Sequence, residues 1–226
     1  MKFEAMLEEF RDAVATASRF AERRANLPVL GTVLITAGDG RLVLRATNLE
    51  CGVEIVCKAK VTEGGEAAVP AATLAGFLQN ARGKSVTAAL MGEVLKVETQ
   101  SADASIKTLP HDDFPMLPKV SADNSFVVKA ADLVRAIRSV AYCASLSAVK
   151  PELQSVLVYG EAGKLTAVAT DSFRLAEKTV PLSKGGSVPQ LLVPARNAAE
   201  LMRLLEDVSG EVEIYYNEHQ LSTHAG

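Results

Sequence analysis

The feature that most constrains this chain is that it repeats itself. The segment LPVLGTVLITAGDGRLVLRATNLECGVEIV (27–56) aligns with KPELQSVLVYGEAGKLTAVATDSFRLAEKTV (150–180). Pro28 falls on Pro151, Val33-Leu34 on Val156-Leu157, Gly40 on Gly163, Leu42 on Leu165 and Thr47 on Thr170, all at an offset of 123. Phe3 falls on Phe126 at the same offset. Further on, AAVPAATLAGFLQNARGKSVTAAL (67–90) matches LLVPARNAAELMRLLEDVSGEVEIYY (191–216), with Val69-Pro70 over Val193-Pro194. The offset drifts by only one to three residues there, which suits small loop insertions. Two copies of one sequence plan imply two copies of one domain.

Each copy reads in the same order. A short strand (KFEA; SFVVK) opens it, and a helix follows over 6–21 and 130–144. Leu7, Phe10, Val14 and Ala17 recur at helical spacing in the first, and Leu133, Ile137, Val140 and Ala144 in the second. Strands with period-two apolar residues come next: Val33 and Ile35, Leu42 and Leu44, Val53 and Ile55. Gly turns join them at 38–40 and 161–163. A second helix begins just after a proline, over 71–82 and 195–207, and further strands follow. The pattern predicts an α+β fold of repeated domains, each with two helices packed on antiparallel sheet. The expected domains are 1–120 and 121–226, joined by DDFPMLPKVSADNS (112–125). The second copy reaches Gly226 near the position of Ser101 in the first, which continues with ADASIKTLPHDDFPMLP. The expectation is therefore that the second domain lacks its last strand and that the gene product continues.

Composition narrows the function. The 226 residues are 48% apolar, enough for a real core. No apolar run approaches a membrane span, and the start is not a signal peptide, so a cytoplasmic protein is expected. Cys51, Cys57 and Cys143 show no CxxC spacing and read as small apolar filler; the first two would share a face of one unbroken strand. His111, His219 and His224 have no ligand partner at a convincing spacing, so neither metal nor cofactor is expected. The net charge of −3 argues against an all-over basic nucleic-acid binder and leaves room for a basic surface on one side. The absence of Trp and the 5% aromatic content argue against a reader of bases. Any nucleic-acid contact would go through phosphates.

Two enzyme readings fail. GEAGKLT (160–166) has two residues between its glycines where a phosphate-binding loop needs four, and Leu165 stands where Ser or Thr should bind magnesium. Asp112 and Asp113 are adjacent and would point apart in an extended chain.

LPVLGTVL, ATNLE, HDDFPMLP, ATDSFRLA and VPARNAAELMRLL resemble the bacterial DNA polymerase III β subunit family, the sliding clamps. The resemblance covers essentially the whole chain and matches the first two of the family's three repeats. It implies the DNA clamp fold, and a non-catalytic processivity factor that encircles duplex DNA as a head-to-tail homodimeric ring. The implied partners are duplex DNA, the DNA polymerase III catalytic subunit, the clamp loader and other clamp-motif proteins such as repair polymerases, mismatch-repair proteins and ligase. No membrane partner is implied. A non-catalytic adaptor that keeps the fold without encircling DNA is the alternative.

On the residues alone, cationic side chains on the free faces of the helices read as a solvated surface. These are Arg135 and Arg138, with Tyr142, on one helix, and Arg196 and Arg203, with Glu200 and Asp207, on another. Arg11, Arg19, Arg23, Arg24, Arg82 and Lys84 are the first-domain candidates. The resemblance turns those faces toward DNA. The DNA-binding set it implies is Arg24, Arg82, Lys84, Arg135, Arg138, Lys150, Arg196 and Arg203. Ala72 and Thr73 stand where the family commonly has an Arg. The resemblance also implies a groove for partner peptides, whose second-domain half is Leu153, Thr170, Ser172, Phe173, Arg174 and Leu175. Ser172 and Phe173 replace the family's usual Gly and His. The strand Ala104–Leu109 is the edge expected to pair with another subunit.

Overall fold

The computed structural model describes residues 1–22, 27–118, 120, 124–147 and 149–225. It divides into two compact units, Met1–Leu117 and Pro118–Gly226.

In the first unit the period-two stretches become strands. They are β1 (Lys2–Met6), β2 (Thr32–Gly38), β3 (Arg41–Thr47), β4 (Gly52–Glu63), β5 (Gly65–Pro70), β6 (Ser85–Met91), β7 (Val94–Thr99) and β8 (Asp103–Lys107). They form one antiparallel sheet in the order β5-β2-β3-β4-β1-β6-β7-β8. The long β4 holds its two halves together. Gly52 to Lys58 pair with β3, and Ala59 to Glu63 pair with β1. Beyond β8, Leu109 N–H donates to the Ala68 carbonyl of β5 at 2.9 Å, joining the two ends of the sheet.

Two helices pack on this sheet, α1 (Leu7–Ser18) and α2 (Ala71–Asn80). Met6 is still extended, so α1 starts at Leu7. The Arg19 and Phe20 N–H groups close it on Thr16 and Ala17, so the helix ends at Ser18, three residues short of the sequence expectation. Pro70 presets the φ that leads into α2, and Ala81 returns to extended backbone and ends it. Leu7, Phe10, Val14 and Ala17 all lie in the core, as their spacing predicts, together with Leu74 and Leu78 of α2. Phe3 and Phe10 meet edge to face with ring centroids 5.6 Å apart.

The second unit repeats the order with one break. Its elements are β9 (Ser125–Lys129), α3 (Ala130–Val140), β10 (Ser155–Glu161), β11 (Lys164–Thr170), β12 (Leu175–Pro181), β13 (Val188–Pro194), α4 (Ala195–Leu205), β14 (Glu211–Tyr216) and β15 (Leu221–His224). A 3-10 turn, Ala141–Cys143, follows α3, where the spacing predicts unbroken helix to 144. There are two sheets, ordered β12-β11-β10-β13 and β15-β14-β9. Pro181 has no N–H to carry the ladder on, and β12 ends there. Val127 of β9 meets the segment between β12 and β13 through N–H···O bonds of 2.9 Å from Val127 to Lys184 and from Ser183 to Val127. Gly185 follows at φ 118, and a Cβ there would sit 3.0 Å from that of Phe126. Leu133, Ile137, Val140 and Ala144 join Phe126, Val156, Leu165, Val212 and Ile214 in the core.

Two details depart from the sequence reading. Cys51 precedes β4, so it does not share a strand face with Cys57. The edge strand is Asp103–Lys107, because Leu109 is taken by β5. Burial and, second, the Glu9 carboxylate push the Cys57 thiol up to about 11, so it stays protonated at neutral pH.

Phe10 is fully buried between helix and sheet. Phe10→Ala is expected to cost about 3–5 kcal/mol in denaturant unfolding, from lost transfer energy plus a residual cavity. A loss below about 1 kcal/mol would contradict this packing role.

Candidate functional site

The two copies of the turn that follows the third strand of each unit are superimposable in their bonding. In the first, the Thr47 hydroxyl donates to the Cys51 carbonyl (2.9 Å) and accepts from Leu49 N–H (3.0 Å). Asn48 Oδ1 accepts from the N–H groups of Glu50 (3.1 Å) and Cys51 (2.8 Å). In the second, the Thr170 hydroxyl donates to the Arg174 carbonyl (2.7 Å) and accepts from Ser172 N–H (3.1 Å). Asp171 Oδ1 accepts from Phe173 and Arg174 N–H, both at 3.0 Å. The third residue is left-handed in both, at φ 73 for Leu49 and φ 76 for Ser172. A non-glycine residue there costs about 1–2 kcal/mol of local strain, which the four side-chain bonds offset.

The second copy adds a strut. Arg174 Nε donates to Asp171 Oδ2 (3.0 Å), its Nη2 donates to the Tyr142 carbonyl (2.9 Å), and its guanidinium lies 5.7 Å from the centre of the Tyr142 ring. The turn is thus tied to the 3-10 turn after α3. Ser145 N–H donates to the Leu153 carbonyl at 2.8 Å, which brings Leu153 to the same segment. Arg174 thus meets Tyr142 and Leu153 meets Ser145, while Thr170, Ser172, Phe173 and Leu175 belong to the turn and strand start that Arg174 braces. Phe173 is 98% exposed and Leu175 65% exposed. Tyr142, Leu146 and Val149 are exposed alongside in sequence. The role of Tyr142 beneath Arg174 has no signal in helical spacing, and Leu146 and Val149 lie in an aperiodic stretch.

The predicted cations divide into groups. Arg135 pairs with Asp132, Arg138 with Glu206 across α3 and α4, and Arg203 with Glu200 at 2.7 Å. The i,i+3 pairs are legible from spacing; the cross-helix pair is not. Arg196 and Lys150 are exposed. Arg82 and Lys84 are exposed in the turn after α2, where Arg82 N–H donates to Ser101 Oγ at 2.8 Å and the Lys84 carbonyl accepts from Leu7 N–H at 3.0 Å. Arg19 is exposed, and Arg11 lies 3.8 Å from Asp12. Arg23 and Arg24 lie outside the described residues. Among the described residues, no helix is long and apolar enough to cross a membrane, and no group of three or more His, Cys, Asp and Glu side chains is placed to hold a metal ion.

The N–H groups of Phe173 and Arg174, and then the Arg174 guanidinium, hold the Asp171 carboxyl below its ordinary 3.8. A depressed pKa supplies order that is present above the ordinary value and is lost as pH falls through the folded one. The amide shifts of Phe173 and Arg174 are expected to titrate together below pH 3.8 and to lose that inflection in Asp171→Ala. A shared inflection above the ordinary carboxylate value would contradict this bonding.

Comparison with known proteins gives one answer for both units. Residues 1–118 match the family described as DNA polymerase III beta subunit, N-terminal domain, and residues 127–226 match its central domain. The beta sliding clamp of Salmonella typhimurium is 28% identical over 230 residues, covering 100% of this chain and 62% of that protein. The beta sliding clamp of Micrococcus luteus is 31% identical over 217 residues, covering 95% of this chain and 69% of that protein. A solved DnaN sliding clamp from Pseudomonas aeruginosa, bound to griselimycin, superimposes with a TM-score of 0.94 at 27% identity, over 100% of this chain and 62% of that one. The Bacillus subtilis clamp shares the fold, with a TM-score of 0.93 at 21% identity, over 100% of this chain and 62% of that one. The chain thus spans about three-fifths of the length of the Salmonella relative.

Proposed function

The chain belongs to the DNA polymerase III beta subunit family, and from that premise we propose that it supplies the first two domains of a sliding clamp. In this reading residues 1–120 and 121–226 are clamp domains. The full-length gene product closes as a head-to-tail homodimeric ring around duplex DNA in the cytoplasm. It catalyses nothing and needs no cofactor. The clamp loader opens and closes it. The DNA polymerase III catalytic subunit, repair polymerases, mismatch-repair proteins and ligase dock on it through short peptides.

The observation that carries the reading is the difference between the two turns. Both have the same backbone bonds and the first exposes Leu49, yet the second presents two large apolar side chains, Phe173 and Leu175, on a turn braced by Arg174. Exposed apolar side chains beside fixed polar backbone suit a peptide whose Leu and Phe need walls and whose main chain needs partners. Arg82, Lys84, Arg135, Arg138, Lys150, Arg196 and Arg203, with Arg24, are proposed to meet phosphates. Such contacts are independent of sequence and weak one by one, which permits sliding; ring closure supplies retention.

A second reading has one observation in its favour. Arg135, Arg138 and Arg203 each have a carboxylate partner, so much of the charge on α3 and α4 is internally balanced. A clamp-fold adaptor that binds peptides without encircling DNA would tolerate that balance.

In the full-length gene product, Arg174→Ala combined with Leu175→Ala is expected to weaken a clamp-motif peptide at least about tenfold, or 1.4 kcal/mol, by calorimetry. Leu49→Ala, at the matching turn of the first unit, leaves the affinity unchanged. Equal effects at the two turns, or none at either, would contradict peptide docking on the second copy.

A further inference from the structure

The first copy of the turn has its own occupant. Position by position, Thr47 to Gly52 corresponds to Thr170 to Leu175, so Gly52 stands where the second unit has Leu175. Gly52 pairs with Thr47 as Leu175 pairs with Thr170. Its φ lies outside the left-handed region, so the backbone itself would accept any residue. The side chain of Leu117 occupies that space: a Cβ at Gly52 would overlap Leu117 Cδ2 and lie 3.5 Å from Cδ1 and Cγ, so Leu117 would have to move aside.

Leu117 is delivered there by a segment docked on its own unit. Leu109 N–H is bonded to Ala68, Phe114 N–H to the His111 carbonyl at 2.9 Å, and the Phe114 ring packs on Val29, Leu34 and Ala68. Leu117 is half-buried at the end of this run. A side chain tethered this closely has an effective concentration on the order of millimolar at its seat. A free peptide must exceed that to displace it.

We propose that Leu117 is a built-in plug on the first unit's copy of the peptide turn, and that the residue at the sixth position, Gly52 or Leu175, decides which copy is open. The proposal rests on the reading of Thr170–Leu175 as a peptide-docking turn. It assigns to Gly52 a role that conformational freedom does not explain. It also gives a physical reason for one-sided docking in a duplicated chain: the closed copy is filled.

The test is an amide-shift map of the 226-residue chain titrated with a short synthetic peptide carrying Leu and Phe. Three proteins are compared: wild type, Gly52→Leu and Leu117→Ala. In wild type, residues 47–52 stay unmoved through millimolar peptide. In Gly52→Leu, which evicts Leu117 and restores the second unit's residue, or in Leu117→Ala, which empties the seat, peptide-dependent shifts appear at 47–52. Protection of the Leu109 amide, retained in Leu117→Ala, shows that the unit remains folded and its strap anchored. Shifts at 47–52 already present in wild type, or absent from both variants, would overturn the proposal. Silence at 170–175 in wild type would instead count against the docking reading, and is scored independently of the first unit's response.

Discussion

A helix laid on a sheet can bury only one face, and the candidate cations on α3 and α4 are placed by that constraint. Phe10 and Val14 on α1, and Leu133, Ile137 and Val140 on α3, are committed to the core. The opposite faces must then carry side chains that water accepts. On α3 and α4 those are Arg135, Arg138 and Arg203 with their carboxylates, and the exposed Arg196. The strands are equally committed, since alternate residues face the helices. Variation without loss of the core is therefore left to the helix backs and to the turns between strands.

The two units show what duplication does under that rule. The core pattern and the Thr–Asx turn are kept in both, because each turn residue satisfies a backbone group that would otherwise lose its partner. Change is concentrated where the fold permits it. Cys51 is matched by Arg174, which adds three contacts and braces the second turn on the segment after α3. Lys58 is matched by Pro181, which ends a strand that runs unbroken through twelve residues in the first unit.

Much of this is legible in the sequence because it is periodic or local. Helical spacing marks Leu7, Phe10, Val14 and Ala17, and the repeated Ala-Thr-Asx marks both turns. What is not legible depends on meetings between distant residues. The Arg174–Tyr142 and Arg138–Glu206 contacts span 32 and 68 positions. The seat of Leu117 on Gly52 is hidden for the same reason, since a glycine in a strand reads as a weak strand position and not as room left for a neighbour. The division of the second sheet is partly concealed because both copies carry a Gly pair, Gly64-Gly65 and Gly185-Gly186; Pro181 is the residue that distinguishes them.

In the proposed clamp, retention on DNA comes from topology. The direct measurement loads the full-length gene product, with its loader, onto a covalently closed circle and onto the same DNA made linear. Retention is then followed as salt is raised. Encirclement predicts that the protein stays on the circle at salt concentrations that dissolve phosphate contacts and runs off the linear form. Equal loss from both would contradict encirclement and leave the chain as a peptide-binding adaptor on the same fold.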